Sequence, residues 1–205
     1  MANHATKDKI IAASWELLAS SNLTEFSMRK LSDKLEMTVS SLYYHFKNKE
    51  ALFAALIDKA TIEILFPVDE KTWQNRLFQY GKNIYQTLEN YPNLAQLLTD
   101  YPPQSENYLR LLDKLLMILD DISLADQEKF AAINLFLNFI YSSKIDSERF
   151  ATNENSSDLT ALAQIAPFLS KYWKSETLAT LGTTESFEFG LRLLISGIEK
   201  IQKTS

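Results

Sequence analysis

Apolar residues recur along most of this chain at intervals of three and four, the spacing that gathers them on one side of an α-helix. Over residues 7–21, Ile11, Trp15 and Leu18 share a face, and Asn22 follows as a candidate left-handed C-cap. Ser27 offers an N-cap for a second helix that would bury Leu31 and Leu35. A tight turn, Leu35-Glu36-Met37, leads to Thr38, another N-cap, and to a short helix from Val39 to His45. Asn48 then caps a longer helix carrying Leu52, Leu56, Ile57 and Ile64. Three short capped helices, the last two joined by a turn of about three residues, form the pattern of a helix-turn-helix unit.

Beyond a break at Phe66-Pro67-Val68-Asp69 the helical period continues. It predicts helices near 72–89, 92–99, 105–122, 124–143, 158–173 and 184–202. Pro92, Pro102-Pro103 and the polar loop Thr152 to Ser157 punctuate them, and Ser123 with Asp126 suggests a capping-box start. No strand-period alternation persists. The predicted fold is all-α, with a three-helix unit over residues 1–49 and a helical bundle over 50–205.

Composition narrows the chemistry. The 205 residues are 46% hydrophobic and include four Gly, five Pro and no Cys. Turn-dense β architecture, disulfides and thiolate catalysis are thereby excluded. The longest apolar stretch, Phe130 to Tyr141, is too short to span a bilayer and contains Asn134 and Asn138. A cytoplasmic protein with no membrane partner is expected. Histidine occurs only at His4 and His45, and no phosphate-cradling Gly-rich loop is present. An enzyme, a metal site and a cofactor are therefore not expected.

The net charge of −5 speaks at first against a nucleic-acid partner. By segment it does not: residues 1–50 hold seven Lys/Arg and six Asp/Glu, against 14 and 20 in the remainder. Arg29, Lys30, Lys34, Lys47 and Lys49 cluster in the first segment, a footprint that permits DNA without proving it.

Residues 10–53 resemble the DNA-binding region of the TetR family. The run Ser41-Leu42-Tyr43-Tyr44-His45-Phe46-Lys47-Asn48-Lys49-Glu50-Ala51-Leu52 carries the family's L-Y-x-H-F-x-x-K-x-x-L signature, and Met28 to Leu35 matches the helix before it. Phe187-Glu188-Phe189-Gly190-Leu191, Gly197-Ile198-Glu199-Lys200 and Trp73-Gln74 resemble the tetracycline repressor branch. The resemblance implies a dimeric repressor, released from a palindromic double-stranded operator by a small-molecule inducer. An activator or chromosome-organising protein without an inducer is the alternative.

The same resemblance implies a DNA-binding set of Ser27, Arg29, Val39, Ser40, Ser41, Tyr43, Tyr44, His45, Lys47 and Lys49. Within it Tyr43, Tyr44 and Lys49 clamp phosphates, Ser40 and Ser41 lie at base edges or backbone, and Arg29 reaches a base. His45 serves equally well as a packed, hydrogen-bonded residue. Val39 suits contact with a thymine methyl. Two positions depart from the family's glycines: Asn22, and Glu36, where a positive φ would cost about 1 kcal/mol.

In the second half, Gly190 and Gly197 each weaken their helix by about 1 kcal/mol relative to Ala. They share a stripe with Phe187, Leu191, Leu194, Ile198 and Ile201 that suits a close helix–helix seam. By resemblance, this helix and the one near 124–143 pair two copies of the chain. Asn134 and Asn138, four residues apart, fit a solvated stripe, a dimer contact or pocket hydrogen-bonders. The aromatic-rich segments predict a pocket for an apolar or aromatic ligand with Tyr80, Tyr101 and Asn138 as its polar contacts, and the resemblance to the tetracycline repressor branch implies that Tyr80 and Ile84 stand at ligand-contacting positions. No histidine is available there to hold a tetracycline–magnesium chelate.

Overall fold

The computed structural model describes residues 6–101, 105–152 and 165–203, and helices account for nearly all of its regular structure. They are α1 (Lys7–Ser20), α2 (Met28–Lys34), α3 (Val39–His45), α4 (Lys49–Thr61), α5 (Trp73–Asn90), α6 (Leu94–Asp100), α7 (Glu106–Leu119), α8 (Asp126–Thr152), α9 (Pro167–Tyr172), α10 (Ser175–Leu178) and α11 (Thr184–Gln202). A 3-10 turn, Leu23–Glu25, separates α1 from α2. No strand occurs among the described residues. Of the helix expected over 158–173, residues 158–164 fall outside them and the remainder holds α9; most of the loop Thr152 to Ser157 also falls outside.

Short polar side chains start the helices as their chemistry requires. The side chains of Thr6, Ser27, Thr38, Asn48, Thr72 and Thr183 each accept the amide three residues on, filling an otherwise orphaned donor. Helix α8 opens differently from the Ser123/Asp126 pairing expected. Ala125 stands at its start, and the Glu128 carboxylate reaches back to the Ala125 N–H at 2.9 Å. This is the acidic half of a capping box without its hydroxyl half.

Asn22 also departs from expectation. Ser21 is extended (φ −148°) and Asn22 has φ −84°, so no left-handed residue ends α1. The Asn22 carboxamide instead caps the 3-10 turn, accepting from Glu25 N–H at 3.0 Å. Carbonyls at the end of α1 find other donors: Ser21 Oγ on Leu17 at 2.8 Å, and the Asn93 amide on Leu18 at 2.8 Å.

Glu36 does take the left-handed conformation, with φ 52°. Its N–H donates to Asp33 O at 3.2 Å and the next, Met37 N–H, to Ser32 O at 3.0 Å. These are the two bonds of a Schellman motif, which end α2 and turn the chain into α3.

Helices α1 to α3 form a head around Ile10, Leu18, Phe26, Leu31, Leu42 and Phe46, all buried. Helices α5 to α8 and α11 form a body around Leu77, Leu115, Phe136, Ile140 and Leu191. Helix α4 belongs to both, with Leu52, Phe53, Leu56, Ile57 and Ala60 completely buried. No helix of the described residues is long and apolar enough to cross a membrane.

Candidate nucleic-acid interface and ligand groove

In α3 the same spacing that buries one face exposes the other. Leu42 is fully buried and anchors the helix, while Ser40 is exposed, Tyr43 is 47% exposed and Tyr44 84% exposed. An aromatic residue so exposed on a seven-residue helix has no packing role to explain it. Tyr44 meets His45 edge-on at 5.5 Å, and His45 is half-buried. Val39 is half-buried and packs partly against the core. Ser41 is half-buried, its hydroxyl 2.8 Å from that of Thr38. The Ser27 hydroxyl receives the Lys30 N–H at 3.1 Å and so works as a cap.

The basic cluster of the head is thinner in space than in sequence. Lys30 pairs with Glu25 at 3.7 Å and Lys34 with Glu16 at 2.9 Å. Exposed pairs of this kind are weak and exchange readily. Arg29 and Lys47 are exposed and form no ion pair among the described residues. Lys49 differs from all of them. Its ammonium donates to the Phe26 carbonyl at 2.9 Å and lies 5.5 Å from the Phe26 ring and 5.0 Å from the Phe53 ring. Burial holds its pKa below the usual lysine range, against the opposing effect of Glu50.

The four expected ligand contacts do not converge. Tyr80 and Ile84 are 1% exposed, with the Tyr80 ring edge-on to Phe66 at 5.2 Å. They pack in the core of the body, and burial raises the Tyr80 pKa well above the usual phenol value. Tyr101 is half-buried against Phe53, ring centroids 4.9 Å apart. Asn138 lines an open groove, of about 390 Å³, between α6, α7 and α8.

The groove has apolar walls, Leu98, Leu112, Ile133 and Leu137, and an uncharged polar edge. That edge consists of Thr99, Tyr108, Tyr141 and the pair Asn134–Asn138, whose carboxamides are joined at 2.8 Å. The Tyr108 and Tyr141 hydroxyls stand 3.3 Å apart, and burial raises the pKa of both, so they remain neutral donors and acceptors. Thr99, Tyr108 and Tyr141 escaped the sequence reading as contacts. The i, i+4 pairing of the two asparagines was the available signal, and it pointed to three roles at once. Among the described residues no group of three or more His, Cys, Asp or Glu could hold a metal ion; His4 lies outside them.

A second groove, of about 370 Å³, runs between α8 and α11. Leu135, Leu193 and Ile201 are each more than half exposed along it, and Gly197 has open space where a Cβ would stand. Gly190 lies on the same stripe two turns earlier, where the space is filled. A Cβ there would lie 2.1 Å from Phe139 Cζ, so its close approach is made within the chain. The two glycines thus share one face of α11, closed by Phe139 at Gly190 and open on the groove at Gly197.

Two joints fasten the head to the body. The left-handed Asn93 (φ 60°) donates its amide to Leu18 O, and Trp15 of α1 meets Tyr91 at 4.7 Å. The Asp58 carboxylate of α4 accepts the Asn107 N–H at 2.9 Å and the Asn107 side-chain amide at 2.8 Å.

Comparison with known proteins follows this division. Residues 10–56 match the model for bacterial regulatory proteins of the tetR family, and residues 66–202 match that for the tetracyclin repressor-like C-terminal domain. An HTH-type transcriptional regulator of Saccharopolyspora erythraea is 30% identical over 105 residues, 51% of this chain and 44% of that protein. The class G tetracycline repressor protein of Vibrio anguillarum is 24% identical over 199 residues, 96% of this chain and 94% of the repressor. Apo ActR of Streptomyces coelicolor superposes with a TM-score of 0.74 at 19% identity, covering 100% of this chain and 99% of that one. From its helix-turn-helix head to its repressor-like body, the chain belongs to the TetR family and is a transcriptional regulator, not an enzyme.

Proposed function

We propose that two copies of the chain pair through the apolar groove between α8 and α11, bind a palindromic duplex as a repressor, and leave it when a small neutral ligand enters the groove between α6, α7 and α8. The observation that carries this reading is the exposure of Tyr43 and Tyr44 on a helix anchored by Leu42, beside the unpaired Arg29 and Lys47. Those side chains suit phosphates and base edges, and a two-fold dimer would present two such helices about one helical turn of DNA apart.

Pairing is supported by the apolar side chains along α8 and α11 that solvent would otherwise cover. The ligand class follows from the other groove, where apolar walls meet hydroxyls and carboxamides with no charged lining residue. Release requires the ligand to favour a head spacing that does not fit the operator. The groove shares α6 and α7 with the joints at Asn93 and Asp58, so its filling acts where the head is held.

Selection from a random-sequence duplex library, followed by sedimentation of the complex, tests the reading. An inverted repeat bound by an even number of chains is expected. Recovery of only asymmetric sites, or a monomer at micromolar concentration, would overturn it.

A further inference from the structure

The corner where α7 turns into α8 encloses a groove of about 500 Å³ that neither DNA, pairing nor the neutral ligand uses. That volume lies within the range of small-molecule sites. Its apolar wall is made by Leu116 and Met117 of α7 and Phe130 of α8. Met117 is 52% exposed and Phe130 60% exposed. No residue of the groove lines the one between α8 and α11, so the pairing of two copies proposed above leaves it open.

Three carboxylates stand around that wall, Asp113, Asp120 and Asp126. Among the described residues none of their side chains makes an ion pair or a hydrogen bond. Lys129 lies in the same groove, but its ammonium donates to the Asp120 backbone carbonyl at 2.7 Å and to no carboxylate. Asp120 is also the C-cap of α7. The last carbonyls of a helix carry partial negative charge, so a carboxylate there is repelled by its own helix. No group of the chain offsets that repulsion.

Charge complementarity selects the occupant. Carboxylates on an open surface are simply solvated, but these rim an exposed thioether and an exposed aromatic ring. An anion would meet three like charges, and a neutral molecule would cover the wall without answering them. A cation with an apolar body answers both, and the face of Phe130 adds its own attraction for the charge. The groove between α6, α7 and α8 has no charged lining residue and shares only Phe130 with this one, so the two select different ligands.

We propose that the groove at the α7–α8 corner is a second small-molecule site, for an organic amine or quaternary ammonium with an aromatic or branched apolar body. The ammonium stands among Asp113, Asp120 and Asp126, and the body lies on Met117 and Phe130. The site depends on neither the DNA reading nor the neutral-ligand reading.

The experiment titrates the full-length protein with two probes of one skeleton, diphenylpropylamine and the neutral diphenylpropanol. Calorimetry gives affinity and stoichiometry, and the methyl resonance of Met117 in methionine-labelled protein gives the place. One amine per chain is expected, with the Met117 signal shifted on binding. The alcohol should bind more weakly, and Asp113→Asn with Asp120→Asn should weaken the amine by roughly tenfold, the effect of two exposed charge pairs. The double variant should leave the alcohol unchanged. Met117→Lys, which places an ammonium in the groove at an exposed position, should abolish amine binding, and Asn138→Ala in the neutral groove should not affect it.

Equal affinity for amine and alcohol would overturn the proposal, as would an unmoved Met117 signal. Loss of amine binding in Asn138→Ala but not in the aspartate variant would place the amine in the neutral groove instead. Sedimentation of Met117→Lys as a monomer, beside a dimeric wild type, would make this face a contact between copies and end the reading. If either variant does not fold, the two probes and the Met117 signal of the wild type decide.

Discussion

Asp58 holds Asn107 at two points, its carboxylate accepting both the backbone N–H at 2.9 Å and the side-chain amide at 2.8 Å. Asn107 is the second residue of α7, so this carboxylate on α4 caps a helix 49 residues away in sequence. Ser105, the local N-cap residue, makes no side-chain capping bond there. Asp58→Ala should therefore destabilise the protein by about 1–2 kcal/mol, the usual cost of a lost cap. Urea unfolding of Asp58→Ala, Asn107→Ala and the double variant checks it. The pair should show a coupling of at least about 0.5 kcal/mol.

The two glycines of α11 give opposite expectations. At Gly190 a methyl would overlap the Phe139 ring, and Gly190→Ala should cost about 1–3 kcal/mol through overpacking. At Gly197 the space is open, so Gly197→Leu should preserve the fold of each chain while obstructing the proposed pairing surface. Circular dichroism should show native helicity for Gly197→Leu, and sedimentation a shift from dimer toward monomer. A dimer as tight as the wild type would place the interface elsewhere.

Glu36 carries a backbone conformation that favours glycine. Glu36→Gly should gain about 1 kcal/mol by relieving it, seen as a higher urea midpoint with an unchanged slope. Loss of stability would mean that the carboxylate makes a contribution exceeding the strain.

High pH offers a further test. Burial raises the pKa of Tyr80, and burial together with the Glu63 carboxylate pushes that of Tyr91 up to about 12. Below about pH 10, the usual phenol value, both states of the chain are protonated and the stabilisation is complete. Above it the unfolded chain loses its protons first, so stability falls as pH rises toward the folded values. Urea midpoints should decline from pH 10 upward, and Tyr80→Phe should make the decline shallower. An unchanged decline would remove Tyr80 as a contributor.

The contrast between these residues shows what a linear sequence can carry. The caps at Ser27, Thr38 and Asn48 were legible because a capping side chain and the amide it accepts lie three residues apart. The spacing gave a tight turn at Glu36, and its left-handed conformation was legible only through the resemblance, whose family has glycine there. Asn22 misled because asparagine serves the end of one helix and the start of the next equally well; the choice fell to Asn93, which supplies a donor to α1 from 75 residues away. Lys49 reads as a surface cation until Phe26 and Phe53 are folded around it. Tyr80 and Ile84 have the composition of pocket residues, and only packing distinguishes a filled core from a cavity wall. Asn138 shares its period with Asn134, and the spacing alone did not say which neighbour the pair would face.

Helix α4 completes the hydrophobic interior of the head at one end and of the body at the other, with five side chains closed off from water. The head of this chain is therefore not closed without α4. A hybrid joined between residues 49 and 50 would set one parent's Leu52, Phe53 and Leu56 against the other parent's first three helices, and an isolated fragment of residues 1–49 would expose the apolar surface those side chains cover. New operator specificities grafted onto this body therefore have to be introduced as substitutions on α2 and α3, or with α4 redesigned to fit two parents at once.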